Sequence, residues 1–265
     1  MTLARNSTNG KNIIKGKGAL FITEDIAAGA NSYTFVGNCS AFTQTVSSEV
    51  DDFYASTEAV KTLIKSFTEQ VDFSGSFITQ EMVAKNISKF LFGQDSIVTS
   101  GVVTVVNEVH TNLGTGSMFQ LGVTLVNRIG NKNINPASIV VTNVAGTVTY
   151  VAGLDYSVDE KPGHLFIPLT STIPASSVIH VDYATLASTY EKIESGAIPR
   201  QVALRFLSDN AGDAFGVRRE IIMPNVTLSP NGDRGLIGDD VMELGFDLKI
   251  LPGLNGERAI TEIIL

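Results

Sequence analysis

The stretch 220–251 decides the fold of this chain. It begins EIIMPNVTLSPNGD (220–233) and continues, after two residues, LIGDDVMELGFDLKIL (236–251). From position 242 every second residue is apolar, and the polar positions between them are Glu243, Gly245, Asp247 and Lys249. A period of two predicts a β-strand with one buried and one solvated face. Because Pro presets φ and Asn-Gly supplies positive φ, SPNGD at 229–233 indicates a turn. The segment predicts a β-hairpin with an acid-bearing outer face.

The composition favours strands over helices. The 265 residues include 24 glycines, and Thr, Val, Ser and Ile dominate long stretches. This mixture is typical of strands and turns. An apolar fraction of 43% is enough for one large β domain or two smaller ones.

Periodicity predicts the elements of a core domain spanning 18–94 and 191–265. Alternation indicates strands at 33–41, 61–78 and 202–206, whereas the polar stretch 46–58 indicates a loop or a hairpin tip. One helix is predicted over 81–92, because its apolar residues follow a helical period. Thr79 is the expected N-cap and Gly93 follows the expected C-terminal end. We expect this helix to cover an open face of a sheet.

The region 95–190 differs from its flanks and predicts a β-rich insertion. Its strand-like runs are 101–109, 121–126, 138–144, 147–151, 164–167 and 178–183. Glycines at 130, 153 and 163 indicate turns between them. The predicted fold class is therefore mainly β: two packed antiparallel sheets, as a sandwich or partial barrel, with one flanking α-helix and an inserted β region.

Charge is distributed unevenly. Residues 1–17 carry four bases and no acid, namely Arg5, Lys11, Lys15 and Lys17. Because the whole chain carries −8, the remainder carries −12. Such a flexible basic arm has three interpretations: a disordered tail, a nucleic-acid arm, or an arm that docks on an acidic neighbouring subunit. The acidic body argues against tight phosphate binding, so we expect the arm to act between subunits.

The sequence contains no recognisable catalytic, cofactor or metal motif. The single cysteine, Cys39, is expected to be a small buried residue, and the histidines 110, 164 and 180 lie in separate predicted strands. No Gly-x-Ser-x-Gly elbow or phosphate-binding loop is present. The best calcium candidate, Asn231 with the acids at 233, 239 and 240, lacks EF-hand spacing. With no apolar run of ~20 residues, no membrane span is expected. We expect a structural or binding protein rather than an enzyme.

Several segments resemble the tail tube proteins (major tail proteins) of long-tailed bacteriophages. PNVTLSPNGD (224–233) and IGDD (237–240) resemble the family's C-terminal hairpin, and VDFSGSF (71–77) the strand before its helix. NISKFLFG (86–93) resembles the end of that helix. The run 141–156 resembles the middle β region, and VALRFLSDNA (202–211) the strand that follows it. The shared order of these segments covers about two thirds of the chain.

This resemblance implies a structural virion protein of the tail. Six copies would form a ring, and stacked rings would form the conduit through which DNA is ejected. Implied partners are further copies of the chain and the tape measure, tail terminator and tail-tip proteins, with non-specific passage of DNA and no membrane. The region 95–190 is expected to decorate the outside of the tube.

A polar, net negative wall would let DNA slide past it. Asp72, Glu243 and Asp247 are the candidate lumen-facing acids, because they lie on the polar faces of alternating strands. The alternative is that these acids are ordinary solvated residues. A competing function is a β-sandwich adhesin or receptor-binding module that does not form tubes.

Overall fold

A computed structural model describes residues 16–26, 32–57, 59–112, 114–209 and 218–265. The described residues are mainly antiparallel β-structure with one α-helix, which confirms the predicted fold class. Two compact units are formed. Unit 1 comprises Met1–Ser96 and Lys192–Leu265, and unit 2 comprises Ile97–Glu191. The predicted arm residues Arg5, Lys11 and Lys15 lie outside the described residues.

The described residues form sixteen strands and one α-helix, α1 (Ala84–Phe90). The strands are β1 (Gly18–Thr23), β2 (Thr34–Phe35), β3 (Cys39–Tyr54), β4 (Leu63–Thr79), β5 (Gln94–Ser100), β6 (Thr104–Thr111), β7 (Met118–Gln120), β8 (Val140–Asn143), β9 (Ser157–Asp159), β10 (His164–Phe166), β11 (Val178–Ala184), β12 (Ser188–Glu194), β13 (Arg200–Ser208), β14 (Arg219–Asn231), β15 (Leu244–Leu251) and β16 (Thr261–Ile264).

Unit 1 contains an eight-stranded antiparallel sheet in the order β2-β1-β13-β14-β15-β4-β3, with β16 paired to β14. The predicted C-terminal hairpin is β14–β15, and the alternation of β15 is confirmed because Leu244, Phe246, Leu248 and Ile250 are all buried. The turn prediction at 229–233 was wrong in one respect. Ser229–Asn231 continue β14 as far as the Asn231–Gly245 pair, so the connection is the long segment 232–243.

The sheet of unit 1 curls around its core. The ring centroids of Phe42 on β3 and Phe206 on β13 are 5.3 Å apart, although three strands separate β3 from β13 in the sheet. Neighbouring strands lie about 4.8 Å apart, so a flat sheet could not bring these rings together. Only residues 36–38 connect β2 at one edge to β3 at the other. The predicted partial barrel describes this arrangement, although β2 and β3 are not paired among the described strands.

The predicted single strand at 33–41 is two strands. Gly37 interrupts it with φ of 102°, and the conformation suits glycine because it lacks a Cβ. Val36, in the interruption, is the buried residue, whereas Phe35 and Ala41 are exposed. Cys39 is half-buried against the core. Burial raises the pKa of the Cys39 thiol, and a hydrogen bond with Thr79 only partly opposes this.

Helix α1 covers the core face of the sheet as predicted, but it is shorter than the expected 81–92. Ile87 and Phe90 pack against the core, and Phe90 meets the Phe246 ring edge-on at 6.0 Å. Thr79 is not the N-cap, because it ends β4 and its Oγ1 accepts a hydrogen bond from the Glu81 N–H at 3.2 Å. Asn86 Nδ2 donates a hydrogen bond to the Glu81 carbonyl oxygen at 3.0 Å, and Val83 is extended. The helix therefore begins only at Ala84.

Unit 2 consists mainly of two three-stranded sheets, β7-β10-β9 and β6-β11-β8, which share one apolar core. The strand predicted at 121–126 was wrong. Residues 147–151 are not a regular strand, but they return along β8 through the antiparallel Thr142–Thr149 bridge and a hydrogen bond from the Tyr150 N–H to the Val141 carbonyl oxygen at 2.9 Å. In the intervening turn Asn143 Oδ1 accepts hydrogen bonds from the N–H groups of Thr147 and Val148, at 2.9 and 3.1 Å. The turns predicted at Gly130, Gly153 and Gly163 are confirmed by their positive φ angles.

Candidate functional site

The β3–β4 hairpin extends well beyond the rest of its sheet. The neighbouring strand β15 pairs with β4 only as far as the pair Ile250–Phe73. Residues 47–54 and 63–72 therefore pair only with each other, and we call residues 47–72 the ribbon. Of the two predictions for 46–58, a loop or a hairpin tip, the hairpin is the better one, although most of this stretch is regular strand. An isolated two-stranded hairpin is marginally stable in water, so this length of ribbon needs a partner surface.

One face of the ribbon continues the apolar core face of the sheet without the cover that the core receives. In β3, Phe42 packs against the core, and Val46 and Val50 follow at the same alternation. The exposed fractions of Val46, Val50 and Val71 are 59%, 47% and 49%. A row of β-branched side chains that are about half exposed to solvent is typical of an interaction surface.

The opposite face of the ribbon carries aromatic residues as well as charges. The register shifts at Glu49/Val50, where β4 has one extra residue, so Phe67 lies opposite Asp51. Phe53, opposite Lys65, is exposed on the same face. Lys65 Nζ lies 4.6 Å from the centroid of the Phe67 ring, a cation–π contact.

The outer face of the unit 1 sheet, opposite its core face, carries a band of hydroxyl side chains. The register places these side chains side by side across β3, β4, β15 and β14. They are Thr43, Thr45, Ser47, Ser74, Ser76, Thr227 and Ser229. The hydroxyls of Thr43 and Ser76 are 2.8 Å apart and hydrogen-bonded. We call this surface the hydroxyl band.

Two of the three candidate lumen acids lie on the hydroxyl band. Asp247 lies between Ser76 and Ser229 and accepts a hydrogen bond from Asn231 Nδ2 at 2.6 Å. Asp72 lies opposite Ser47 and accepts a hydrogen bond from Gln70 Nε2 at 2.7 Å. Both acids are exposed.

Glu243 stands apart from this pair, since it precedes β15 and is half-buried. Its carboxylate accepts a hydrogen bond from Gln80 Nε2 at 2.9 Å. The alternation of β3 brings Glu49 and Asp51 to the face that Asp72 occupies. Neither acid was predicted to belong to this face, because 46–58 was expected to be a loop or a hairpin tip. Lys249 also lies on this face, so the band carries both signs of charge.

Unit 2 contains a polar cluster around Glu108. The carboxylate accepts hydrogen bonds from the Gly122 N–H at 2.8 Å, from the Tyr183 hydroxyl at 2.6 Å and from His110 Nε2 at 2.9 Å. Burial by itself would raise the pKa of Glu108, but the hydrogen bonds from His110, Tyr183 and Gly122 outweigh it and lower that pKa. Burial and the Glu108 carboxylate raise the pKa of Tyr183. The cluster ties the segment after β7 to β6 and β11.

The rejected calcium candidate and the three histidines do not form a common site. His110 contacts Glu108, which lies two residues earlier on β6, whereas His164 and His180 lie on β10 and β11. Within the described ranges no three His, Cys, Asp or Glu side chains gather as metal ligands, and Asp233, Asp239 and Asp240 are exposed. Nor does that part of the chain contain a helix long and apolar enough to cross a membrane.

Comparison with known proteins places the chain in a family. Residues 13–253 match the family described as "Protein of unknown function UCP028589". The chain belongs to this family. A search of curated proteins found no match.

The UCP028589 match includes the surfaces described above. The ribbon, the hydroxyl band and the whole of unit 2 fall within residues 13–253, whereas β16 follows the end of the match. Lys17, the one predicted arm residue that the structure describes, also falls within it and is exposed.

Proposed function

We propose that the chain is a structural subunit of a phage tail tube, in which six copies form a ring and stacked rings form a conduit for DNA ejection. The observation that carries this proposal is the ribbon, whose apolar face is not covered by the described residues of a single copy. The partner proposed for it is another copy of the same chain. The resemblance to tail tube proteins supports this choice, and with it a proposed location in the tail of the virion.

Ring closure gives a physical reason for such a ribbon. Strand β3 is an edge strand along its whole length, and an open edge would otherwise pair indiscriminately with other chains. Head-to-tail contacts that close by rotation form rings and bury every edge of this kind. Stacked rings then form a tube, to which the tape measure, terminator and tip proteins are the proposed partners.

The hydroxyl band is the surface we assign to the conduit wall. It is dense in short hydroxyl side chains, and Asp247 and Lys249 lie on it two residues apart. DNA affinity rises with the number of phosphates that lysine and arginine neutralise, so a wall of this kind would hold DNA weakly. The region 95–190 remains our candidate for the outer decoration of the tube.

Removing the ribbon tests the proposal. Because Val46 and Phe73 are directly opposite, replacing residues 47–72 by Asn-Gly closes the hairpin with a two-residue turn. We expect this variant to unfold cooperatively like the full chain and to remain monomeric in sedimentation velocity, while the full chain forms rings and tubes. A folded variant that assembles as readily as the full chain would overturn the proposal.

A receptor-binding module is the second candidate, and one observation in unit 2 favours it. Leu125 and Val126 are 85% and 97% exposed in the segment that Glu108 anchors through Gly122. Exposed apolar side chains in an anchored segment suit a binding tip. This function predicts a chain that stays monomeric at high concentration and binds cells, with binding lost when Leu125 and Val126 are both changed to Ser.

A further inference from the structure

We infer that the ribbon of one copy docks into a basic groove on unit 1 of the neighbouring copy. This inference rests on the proposed self-assembly and names the surface that receives the charged and aromatic face of the ribbon, which lies opposite its apolar face. The groove lies on the outer face of β1 and β13, and has a volume of about 430 Å³. Its lining residues are Lys17, Gly18, Ala19, Phe21, Leu207, Ser208, Asp209 and Arg218.

The charges of the two surfaces are complementary. Among the described residues, the ribbon has five acids and two bases: Glu49, Asp51, Asp52, Glu69, Asp72, Lys61 and Lys65. The groove has two bases, Lys17 and Arg218, and one acid, Asp209. Within the described part of the chain, neither base forms an ion pair, and neither Glu49 nor Asp51 does so.

The apolar parts of the two surfaces are complementary as well. The groove is lined by Ala19, Phe21 and Leu207 between its basic residues. On the ribbon, Phe53 and Phe67 lie on the face that carries Asp51. Aromatic side chains that enter apolar pockets are common anchors of protein interfaces.

The register places the ribbon and the groove at the same level of unit 1. One row of paired residues crosses the sheet as Val226, Ile250, Phe73 and Val46. The ribbon lies beyond this row in the direction in which β14 runs back towards Arg218. Strand β1 begins at that end too, since Gly18 pairs with Ser208 and β13 pairs with the first residues of β14.

This common level fits a contact between neighbours in one ring. Copies related by rotation about a ring axis present the same level to each other, and different surfaces meet at a head-to-tail contact. A ribbon that enters the groove of the next copy would repeat around the ring until it closes. The contact is therefore lateral, within a ring, rather than between stacked rings.

Mixing two charge-reversed variants tests the inference. The ribbon variant carries Glu49→Lys and Asp51→Lys, and the groove variant carries Lys17→Glu and Arg218→Glu. Each alone places like charges at every ribbon–groove contact, so we expect the concentration needed for assembly to rise at least about tenfold. In an alternating 1:1 ring every contact again joins opposite charges, so we expect the mixture to assemble. Matched controls in unit 2 carry Asp159→Lys with Glu160→Lys, and Arg128→Glu with Lys161→Glu.

Sedimentation velocity of each variant, of the mixture and of the full natural chain, with urea unfolding to verify the fold, gives four informative results. Failure of each variant alone, with rings from the mixture, supports the inference. Assembly of either variant alone at the natural concentration overturns it, and so does a mixture that fails like its components. If the natural chain itself forms no ring, both the inference and the proposed tube function are overturned.

Discussion

Val46 of β3 lies directly opposite Phe73 of β4, yet the two side chains have different surroundings. Phe73 also pairs with Ile250 of β15 and packs against the core, whereas Val46 is largely exposed. The pair therefore marks the border between the covered sheet and the ribbon. Residues beyond this border contribute little burial to a single copy, which separates the effects of mutations on folding from their effects on assembly.

Polar substitution on the apolar face of the ribbon, at Val50 and at the border residue Val46, should impair assembly without destabilising the monomer. For Val46→Ser with Val50→Ser we expect a change in unfolding free energy within about 0.5 kcal/mol per site, because both side chains are exposed. The concentration needed for ring formation should rise. Val106→Ser with Val109→Ser, two exposed valines of β6, is the matched control for light scattering. Equal assembly of the two double variants would contradict this role of the ribbon.

Truncation of a core residue should destabilise the monomer, unlike the ribbon substitutions. Phe246 is buried, stacks on Phe77 at 4.7 Å and meets Phe90 edge-on. We expect Phe246→Ala to lower the free energy of unfolding of unit 1 by about 3–5 kcal/mol, through lost burial and the cavity left behind. Phe53→Ala on the ribbon should change it by less than about 0.5 kcal/mol. Urea denaturation measures both, and comparable losses would place Phe53 in a packed environment that the structure does not show.

Acid should weaken unit 2 through Asp155. This buried carboxylate accepts hydrogen bonds from the N–H groups of Val151 and Thr172 and from the Thr172 hydroxyl, at 2.8, 2.9 and 2.8 Å. The backbone N–H groups, chiefly that of Val151, hold the pKa of Asp155 below its ordinary value. A lowered folded-state pKa stabilises the fold above the unfolded pKa of about 3.9, and this stability is lost as pH falls through the folded value.

Asp155→Asn removes the charge and should therefore flatten this part of the pH profile. At neutral pH we expect a loss of about 1–3 kcal/mol, because one carboxylate oxygen becomes an NH₂ group and the donors that faced that oxygen lose their acceptor. Melting temperatures between pH 7 and pH 3 measure the effect. An unchanged slope below pH 4 in the Asn variant would show that other carboxylates govern the acid sensitivity of unit 2.

A lysine substitution on the proposed conduit wall should slow DNA passage. Asp247→Lys places a positive charge in every subunit in place of an acid, and surface changes of this kind usually leave folding intact. Ejection from particles should slow most at low salt, where screening is weakest. Asp239→Lys, at an exposed acid of the connection 232–243, is the matched control. Normal ejection rates at every salt concentration would remove Asp247 from the conduit.

Much of unit 1 could be predicted because its local patterns agree with its packing. Strand β15 alternates strictly, and its apolar residues are the buried ones. The ribbon could not be predicted in the same way. Residues 46–58 are rich in Ser, Asp and Glu, and that composition normally indicates a loop. Pairing with β4 keeps residues 46–54 extended. Such pairing with a distant segment cannot be recognised from the composition of a short stretch of sequence.

Some residues of the candidate site could likewise be predicted from the sequence, and others could not. Alternation was sufficient to place Asp72 and Asp247 on one polar face, because both belong to regular strands. Glu243 shares that parity but precedes its strand, so its side chain bonds to Gln80 instead. The basic groove needed the fold, since Lys17 and Arg218 are distant in sequence and meet only because β1 and β14 flank β13.

Electron microscopy of the purified full chain at high concentration is the most direct test of the proposed tube. We expect hollow rings with six-fold symmetry in end views and stacked tubes in side views, with the ribbon of each copy bound to the neighbouring copy. Particles the size of single chains at every protein and salt concentration would contradict it.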